Sequence, residues 1–333
     1  MTGQSDLRLD GCDLSVVIVN WNAREYLGPC LRSVYEETTG LNMEICLVDN
    51  ASDDDSVTLV RAEFPLVHII QNAKNVGFAG ASNQGLRWAR GRHVVLLNPD
   101  TVITGRALER LSAFLDEHPR AGVVGPQLVS PEGRVQGGAA GYDPSPCTVF
   151  NYQFFLFRLA PRRFRGLWLA RSRYADPTPI AVDWVAGACL MARAEAVRQV
   201  GGLDEGYFMY AEDVAWCNKM RAAGWEVYCL PAARVIHHIG ASAKQQGPRF
   251  MARNVESLDR YYRSRYGVAT VAAMHLMGVV GFGLRYLLAT LRELRQGPLP
   301  PAESPALWRA CLGASLRCLF RPVDSSDSAM LAK

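Results

Sequence analysis

The sequence predicts an α/β protein with a mostly parallel sheet, and three observations support that prediction. Short apolar runs rich in β-branched residues alternate with stretches of helical periodicity over the first hundred residues. These runs end in clusters of polar residues, as strands of a parallel sheet do at a ligand-binding edge. Hydrophobic residues make up 49% of a 333-residue chain, which is enough for a large core. Alternating strands and helices favour a parallel sheet with helices on its faces.

The first predicted strand ends in polar and aromatic groups. Four β-branched residues, 16–19, run directly into Asn20, Trp21 and Asn22, and a helical pattern follows. Ligands of open α/β sheets lie beyond the carboxyl ends of the strands, so we expect these three residues to face a ligand. Trp21 offers a flat apolar face for a nucleotide base, and the alternative is that it belongs to the core.

The second predicted strand, residues 45–48, ends in a carboxylate. Asp49 follows the apolar run directly, and Asn50 comes next. A carboxylate at this position can accept a hydrogen bond from a ring N–H of uracil or thymine. The simpler interpretation is that these residues cap the next helix.

The third predicted strand, residues 68–70, leads to a loop rich in small and amide-bearing residues. Asn75, Gly77 and Asn83 lie in this stretch. Small residues allow the backbone to approach a ligand closely. We therefore expect the stretch to line the ribose and phosphate side of a nucleotide site.

The fourth predicted strand, residues 94–97, ends in Asn98, Pro99 and Asp100. Asp100 stands where a hard cation that bridges phosphates would be held. A plain Asn-Pro-Asp turn would explain this segment taken alone. The three preceding strands also end in polar residues, and parallel strands place their carboxyl ends at one edge of the sheet. Together the four strand ends therefore favour a shared ligand site over a plain turn.

Two groups of motifs follow one another along residues 14–245. The first comprises Val-Asn-Trp-Asn at 19–22, Val-Asp-Asn-Ala-Ser at 48–52, Asn-Val-Gly-Phe-Ala at 75–79 and Leu-Asn-Pro-Asp-Thr at 97–101. The second comprises residues 183–188, 202–205, 212–217 and 237–242. The ordered set resembles the family 2 glycosyltransferases, and within them the rhamnosyltransferase-like branch that builds bacterial cell-surface glycans. Asn98 is a departure, since many members carry an Asp there.

The resemblance implies a Rossmann-like GT-A fold, with a mostly parallel sheet, flanking helices and a C-terminal helical extension. It also implies a site for a dTDP- or UDP-sugar donor. The expected residues of this site are Asn20, Trp21, Asn22, Asp49, Asn50, Asn75, Gly77, Asn83, Asn98 and Asp100. A divalent cation would be held by Asp100 and His237, and this ligand set suits Mn²⁺ or Mg²⁺. His238 remains an alternative ligand, although it would point to the other face of a regular strand.

The catalytic candidates are two adjacent acids, Glu212 and Asp213, at the start of a predicted helix. Acids are favoured there by the helix dipole, so a cap is the simpler interpretation. Inverting sugar transfer, however, needs a carboxylate that takes the proton from the acceptor hydroxyl. By resemblance Asp213 is this base and Glu212 orients the acceptor. The residues expected in the acceptor and sugar pocket are Trp184, Gly187 and Asp204.

The pattern predicts four segments along the chain. Residues 1–13 are expected to form a loose tail, and residues 246–296 to form C-terminal helices. The catalytic domain between them, 14–245, is expected to consist of a nucleotide-binding half, 14–125, and an acceptor and catalytic half, 126–245. Residues 297–333 are rich in Pro, and we expect them to be partly disordered.

Two segments suggest contact with a membrane. Residues 149–175 hold eight aromatic residues and six Arg without any acid, which suits an interface carrying anionic lipid. Residues 268–290 form an apolar block interrupted by His275 and Arg285. We predict peripheral attachment to the inner face of the cytoplasmic membrane, near a polyprenyl-linked or glycan acceptor. The alternatives are helices packed on the core, and a spanning helix at 268–290.

Composition limits the remaining possibilities. A net charge of +4 does not favour bulk nucleic-acid binding. Nine Cys without a C-x-x-C pair predict free thiols in a reducing compartment, which suggests the cytoplasm. Two other functions are kept open. A sugar-phosphate nucleotidylyltransferase would need a Gly-rich basic loop after the first strand, which residues 20–23 lack. A non-catalytic, membrane-bound sugar-binding protein would release no nucleotide.

Overall fold

The computed structural model describes residues 11–238 and 249–322. The strands are β1 Leu14–Asn20, β2 Met43–Asp49, β3 His68–Gln71, β4 His93–Leu97, β5 Thr101–Thr104, β6 Ala121–Val129, β7 Ala140–Gly141, β8 Ile180–Val182, β9 Trp184–Val185, β10 Cys189–Arg193 and β11 Glu226–His237. The helices are α1 Arg24–Glu37, α2 Ser56–Glu63, α3 Gly77–Trp88, α4 Ala107–Glu117, α5 Pro146–Gln153, α6 Leu156–Leu159, α7 Ala194–Val200, α8 Glu212–Ala222, α9 Arg249–Arg263, α10 Val268–Gln296 and α11 Pro305–Leu319.

A large mixed sheet has the strand order β3-β2-β1-β4-β10-β6-β11-β5, and β8 also pairs with β11. The first four strands of this order are parallel, as the βαβα rhythm predicts. β10 is antiparallel to both of its neighbours, and β6 and β11 are parallel to each other. The predicted α/β class with flanking helices is confirmed.

The register of the parallel strands explains why the polar strand ends meet. Residues 14–18 of β1 are buried because neighbouring strands and covering helices enclose both faces of the sheet. β1 and β2 pair so that Asn20 lies opposite Asp49. A shift of one residue would turn the side chains of a whole strand to the opposite face, so the apolar runs fix this alignment.

The chain divides into two compact units, which we call the sheet unit and the helical unit. The sheet unit comprises the chain up to Gly141, the segment Arg171–Phe208, and the part from Glu212 through β11. The helical unit comprises Tyr142–Ala170, Met209–Ala211 and the described residues from α9 onward. Residues 142–170 therefore group with the C-terminal helices, whereas we expected all of them inside the catalytic domain.

The segment expected to be a partly disordered tail contains helix α11. The side chain of Ser304 accepts a hydrogen bond from the Leu307 N–H, and Pro305 occupies the first turn of the helix. Proline is favoured in that position because its missing N–H would have no partner there. Prolines that we expected to break the chain thus precede and begin a helix. The final Ser/Asp segment lies outside the described residues.

Of the eight aromatic residues in the segment 149–175, two are buried, five are half-buried and one is exposed. Tyr152 is 4% exposed, and its ring lies against those of Phe157 and Trp168. Only Phe150 among the eight is exposed, whereas Arg158, Arg162, Arg163, Arg165, Arg171 and Arg173 are exposed except for the half-buried Arg173. The alternative interpretation of this segment, helices packed on a core, accounts for its aromatic residues.

All nine cysteines are free thiols, and seven of them are buried. This confirms the prediction of free thiols. Burial raises the pKa of Cys30 and Cys46 to about 12, so these thiols stay protonated and unreactive.

Candidate active site

The ends of β1 and β2 form a closed hydrogen-bonded group. The Asn20 amide donates to Asp49 Oδ1 at 2.9 Å and to Ser52 Oγ at 3.0 Å. Asp49 Oδ2 accepts from the Ser52 N–H, and the Asn22 N–H donates to Ser52 Oγ. Asp49 is 2% exposed, so its carboxylate is held rigidly at the strand end. The hydroxyl of Ser52, the last residue of the motif at 48–52, joins the two strand ends.

Asn50 organises the neighbouring loop. Its amide donates to Asn75 Oδ1 at 2.9 Å and to the Gly77 carbonyl at 3.1 Å, and its carbonyl oxygen accepts from the Val76 N–H. Gly77 has a φ of +80°, and a Cβ there would lie 2.6 Å from the Phe208 carbonyl oxygen. Only glycine fits this turn. Asn50, Asn75 and Gly77 are thus brought together, as expected.

The side chain of Asn83 is hydrogen-bonded to the loop that contains Leu203 and Glu205. Its amide donates to the Leu203 carbonyl and to Glu205 Oε1, each at 2.9 Å, and its oxygen accepts from the Leu203 N–H at 2.8 Å. We expected Asn83 to line the ribose. Its side chain holds the loop that contains Gly202, where a Cβ would lie 2.2 Å from Asn83 Oδ1, and its role at the ribose stays a prediction.

Asp100 and His237 lie side by side at the edge formed by β4, β5 and β11. His237 Nε2 is 3.4 Å from Asp100 Oδ1, and neither side chain is fully buried. His238 is exposed, and its ring lies 5.5 Å from that of Tyr26. Of the two histidines, His237 is therefore the one that lies beside Asp100.

Gln136 fixes the tautomer of His237. The Gln136 amide nitrogen donates to the His237 carbonyl, so its oxygen is the atom that faces Nδ1, at 3.1 Å. Since that oxygen only accepts, Nδ1 carries the proton and Nε2 presents a lone pair on the side of Asp100. A carboxylate oxygen and an imidazole lone pair together fit a divalent cation. Gln136 stands in a Gly-rich loop without periodicity, so no sequence signal indicated it.

Asp213 is held at the start of α8 by two backbone groups. Its Oδ2 accepts from the Gly187 N–H at 3.0 Å, and its Oδ1 accepts from the Val214 N–H at 2.8 Å. A Cβ on Gly187 would lie 3.2 Å from the Phe78 ring, so a larger residue there would crowd Phe78. Burial raises the pKa of Asp213, while the two N–H groups oppose this increase.

One backbone bond joins the Asp213 region to the Asp100 region. The Asn98 N–H donates to the Ala188 carbonyl at 2.9 Å, and Ala188 directly follows Gly187. The turn that carries Asp100 and the loop that holds Asp213 therefore share a short rigid connection. The polar strand ends are thus connected through this bond to the loop that holds Asp213.

Glu212 differs from Asp213 in its surroundings. It is 5% exposed, and its Oε2 has no hydrogen-bond partner among the described residues. Burial, and then the charge of Asp213, raise the pKa of Glu212 well above the ordinary value. We infer that Glu212 is neutral when Asp213 is ionised, because two adjacent buried carboxyls do not both carry charge readily.

We expect Glu212→Gln to stabilise the protein at alkaline pH. Because the pKa of Glu212 is raised, the folded state binds more protons than the unfolded chain above about pH 4.3, and stability falls as the pH rises toward the raised pKa. An amide has no proton to lose. Thermal unfolding should show the variant above wild type at about pH 8, with a smaller difference at about pH 5.

The matched control is Glu195→Gln, which changes an exposed glutamate on α7. It should leave the unfolding temperature nearly unchanged at both pH values. A Glu212→Gln difference that is as large in acid as in base would contradict the raised pKa.

The other predicted residues are not gathered into the same contacts. Trp184 is 6% exposed and belongs to β9, so it is part of the core. Asp204 is exposed and accepts from the Gly206 N–H of its own loop. Trp21 is half-buried. Their roles in a sugar or base pocket stay predictions.

Two family profiles match the chain. The profile described as Glycosyl transferase family 2 matches residues 15–176. A second, described as Glycosyltransferase (GlcNAc), matches residues 133–275. The first covers the strand ends around Asp49 and Asp100, and the second covers Asp213 and His237. Together they include every residue of the candidate site from Asn20 to His237.

The chain is also similar to curated glycosyltransferases and to solved structures. The chain is 28% identical over 267 residues to the N-acetylglucosaminyl-diphospho-decaprenol L-rhamnosyltransferase of Mycobacterium tuberculosis, covering 76% of this chain and 85% of that protein. It is 23% identical to the dTDP-rhamnosyl transferase RfbF of Shigella flexneri, covering 79% and 81%. A mannosyltransferase of Pyrobaculum calidifontis, solved with GDP-Man and Mn²⁺, matches with a TM-score of 0.53 at 19% identity, covering 97% and 79%. This last likeness identifies the fold, which is GT-A.

Proposed function

The chain belongs to the family 2 glycosyltransferases, and on that premise we propose that it is an inverting, metal-dependent transferase that moves rhamnose. The proposed sugar donor is a dTDP-sugar, which the name of the Shigella relative supports. The proposed acceptor is a lipid-linked glycan, which the name of the mycobacterial relative supports. The observation that carries the proposal is the backbone connection between the Asp100 turn and the Asp213 loop.

In this proposal the sugar donor binds across the ends of β1 to β4. The Asp49 carboxylate, fixed by Asn20 and the Ser52 N–H, keeps lone pairs for a ring N–H of the base. The loop from Asn75 to Gly77 approaches closely enough for backbone groups to face the ribose or the phosphates. A dTDP-sugar and a UDP-sugar present the same ring N–H, so Asp49 does not distinguish them.

Asp100 and His237 are the residues that would hold a divalent cation. When bound, such an ion neutralises the charge that develops on the diphosphate leaving group. Asp100 contributes a carboxylate oxygen, and His237 contributes Nε2, whose lone pair Gln136 keeps available. Oxygen-rich ligation with one imidazole suits Mn²⁺, and Mg²⁺ is the alternative.

We expect Gln136→Met to weaken binding of the metal. Methionine keeps the approximate volume but removes both bonds to His237, so the imidazole can rotate and change its tautomer. Loss of such an outer partner typically weakens metal affinity by about 10- to 100-fold. Titration calorimetry with Mn²⁺ and dTDP measures the change. Gln127→Met, at another buried glutamine, is the control, and equal losses in both variants would contradict the role of Gln136.

Asp213 acts as the base in the proposed reaction. Its carboxylate takes the proton from the acceptor hydroxyl while that oxygen attacks the anomeric carbon, and the bond to the diphosphate breaks. The N–H groups of Gly187 and Val214 hold the carboxylate in one orientation. Neutral Glu212 beside it keeps the local charge low, so Asp213 is the acid of the pair that ionises.

The function is tested by nucleotide release from a panel of sugar donors with a synthetic prenyl-diphosphate GlcNAc acceptor. We expect release from dTDP-rhamnose with Mn²⁺, and a product whose anomeric configuration is inverted, as measured by NMR. Release of pyrophosphate from a sugar phosphate and a nucleoside triphosphate would favour a nucleotidylyltransferase. No release from any donor would favour a sugar-binding protein.

The proposed place of action is the inner face of the cytoplasmic membrane, with peripheral attachment. A nucleotide-sugar donor is cytoplasmic, whereas a polyprenyl-linked acceptor is held in the bilayer. The free thiols agree with the reducing compartment.

A further inference from the structure

Helix α10 exposes an uncharged apolar face along most of its length. Leu276, Val280, Leu284, Leu287 and Leu291 recur every three or four residues, and each is between 39% and 55% exposed. Residues 268–291 contain only two side chains that can carry charge, His275 and Arg285, and both are buried. At 1.5 Å per residue the face from Leu276 to Leu291 is about 24 Å long. Soluble proteins rarely leave so long an apolar surface in water.

The opposite face of α10 is fixed inside the helical unit. Arg285 donates to the carbonyl groups of Tyr152, at 2.6 Å, and Gln153, at 3.0 Å. His275 Nε2 lies 2.8 Å from Asp259, which is fully buried and also binds Arg263. These bonds would have to break if lipid surrounded the helix on all sides.

Length and composition alone would allow α10 to cross a membrane, and it is the one helix among the described residues of which this is true. The bonds of Arg285 and His275 argue instead for a helix that lies against its own unit. Only the leucine-rich face is then left for an outside partner.

The charge of the helical unit indicates which partner this is. Its described residues contain 15 Arg and no Lys, against five acidic residues, for a net charge of +10. The described residues of the sheet unit hold 18 basic and 23 acidic residues, for a net charge of −5. The nearly neutral total thus conceals two units of opposite sign, and the apolar face belongs to the positive one.

Opposite charge attracts such a unit to an anionic lipid surface, whereas a second copy would bring two strongly positive units together. Four of the arginines, Arg158, Arg162, Arg163 and Arg165, are exposed on the segment before α10. Charge therefore favours lipid over self-association as the cover of the apolar face.

We propose that helix α10 lies in the plane of an anionic phospholipid leaflet, with its face from Leu276 to Leu291 buried at the boundary between headgroups and acyl chains. The exposed basic residues of the helical unit bind the lipid headgroups. The sequence suggested membrane contact for both 149–175 and 268–290, and the proposal assigns the inserted apolar face to the second of these segments. The contact does not depend on the proposed sugar transfer.

The test is flotation of the full-length protein with two kinds of vesicles, phosphatidylcholine alone and phosphatidylcholine with phosphatidylglycerol. We expect binding to the anionic vesicles only, and a decrease at high salt. Leu284→Gln with Leu287→Gln should lower the bound fraction about fivefold or more, because two inserted side chains become polar without a change in charge. The control Leu66→Gln changes a leucine that is 86% exposed in the sheet unit, and it should bind like wild type.

Four outcomes would overturn the proposal. Wild-type protein could stay unbound with both kinds of vesicles, or the double variant could bind as well as wild type. Resistance of the native protein to alkaline extraction from membranes would mean that α10 spans the bilayer. A wild-type dimer that the double variant abolishes, without vesicle binding, would assign the face to a second copy. Flotation needs neither sugar donor nor acceptor, so failure here leaves the proposed reaction intact.

Discussion

Asp213→Asn is expected to lower turnover by about 10²- to 10⁴-fold, the usual contribution of a general base, with little change in affinity for the sugar donor. The substitution keeps the shape of the side chain and removes its ability to take a proton. The amide keeps one of the two backbone bonds, to the N–H of either Gly187 or Val214, through its oxygen. Initial rates with saturating donor and acceptor, together with nucleotide binding by calorimetry, separate the two effects.

The pH profile distinguishes a base from a helix cap at this position. Because burial raises the pKa of Asp213, wild-type activity should decline on acidification at a higher pH than an ordinary aspartate would give. The residual activity of Asp213→Asn should lack that acidic limb. Asp176→Asn, an exposed acid in the sheet unit, is the matched control and should behave like wild type. Near wild-type turnover in Asp213→Asn would mean that Asp213 only caps helix α8 and is not the base.

Asp100→Ala is expected to abolish metal-dependent binding of the nucleotide. The carboxylate is the charged ligand of the proposed pair. Its removal should therefore lower the metal affinity by more than roughly 100-fold, the upper range for losing a residue that only hydrogen-bonds a metal ligand. His237→Ala should give a weaker version of the same effect. His238→Ala, at the exposed neighbour, is the control and should bind normally.

The measurement is calorimetry with dTDP in the presence and absence of Mn²⁺. Wild-type protein should bind dTDP more tightly with the metal, and Asp100→Ala should show one affinity under both conditions. Equal affinity of wild-type protein with and without Mn²⁺ would refute the metal assignment.

Local pattern was sufficient to predict that polar strand ends meet at one edge of the sheet. Apolar runs that end in Asn20, Asp49 and Asp100 identify buried parallel strands, and parallel strands bring their ends together. The choice of His237 rested on the resemblance, and the alternation of side chains along a strand added only that His238 would point to the other face. Each of these predictions depended on spacing within a few residues.

Features set by distant contacts could not be predicted in the same way. Gln136 meets His237 across 101 residues, and nothing in its own surroundings marks it. Asn83 is a residue type that often binds ligands, but its side chain makes hydrogen bonds with the backbone of Leu203. Composition also suggested that residues 149–175 present aromatic groups to lipid, yet it does not specify which side of a helix faces inward. The exposed leucine-rich face of helix α10 could not be identified before the structure showed that Arg285 and His275 are buried on its other face.

The position of β10 has a consequence for how the chain is made. β10 lies between β4 and β6, although it comes some 60 residues after β6 in the sequence. A ribosome that adds about 5–20 residues per second needs several seconds to extend the chain from β6 to Arg193. Until then β4 has an open edge, with backbone groups that any other strand can pair with. The nucleotide-binding half, 14–125, is therefore not a separable fragment, and we expect truncation before β10 to yield an aggregating polypeptide.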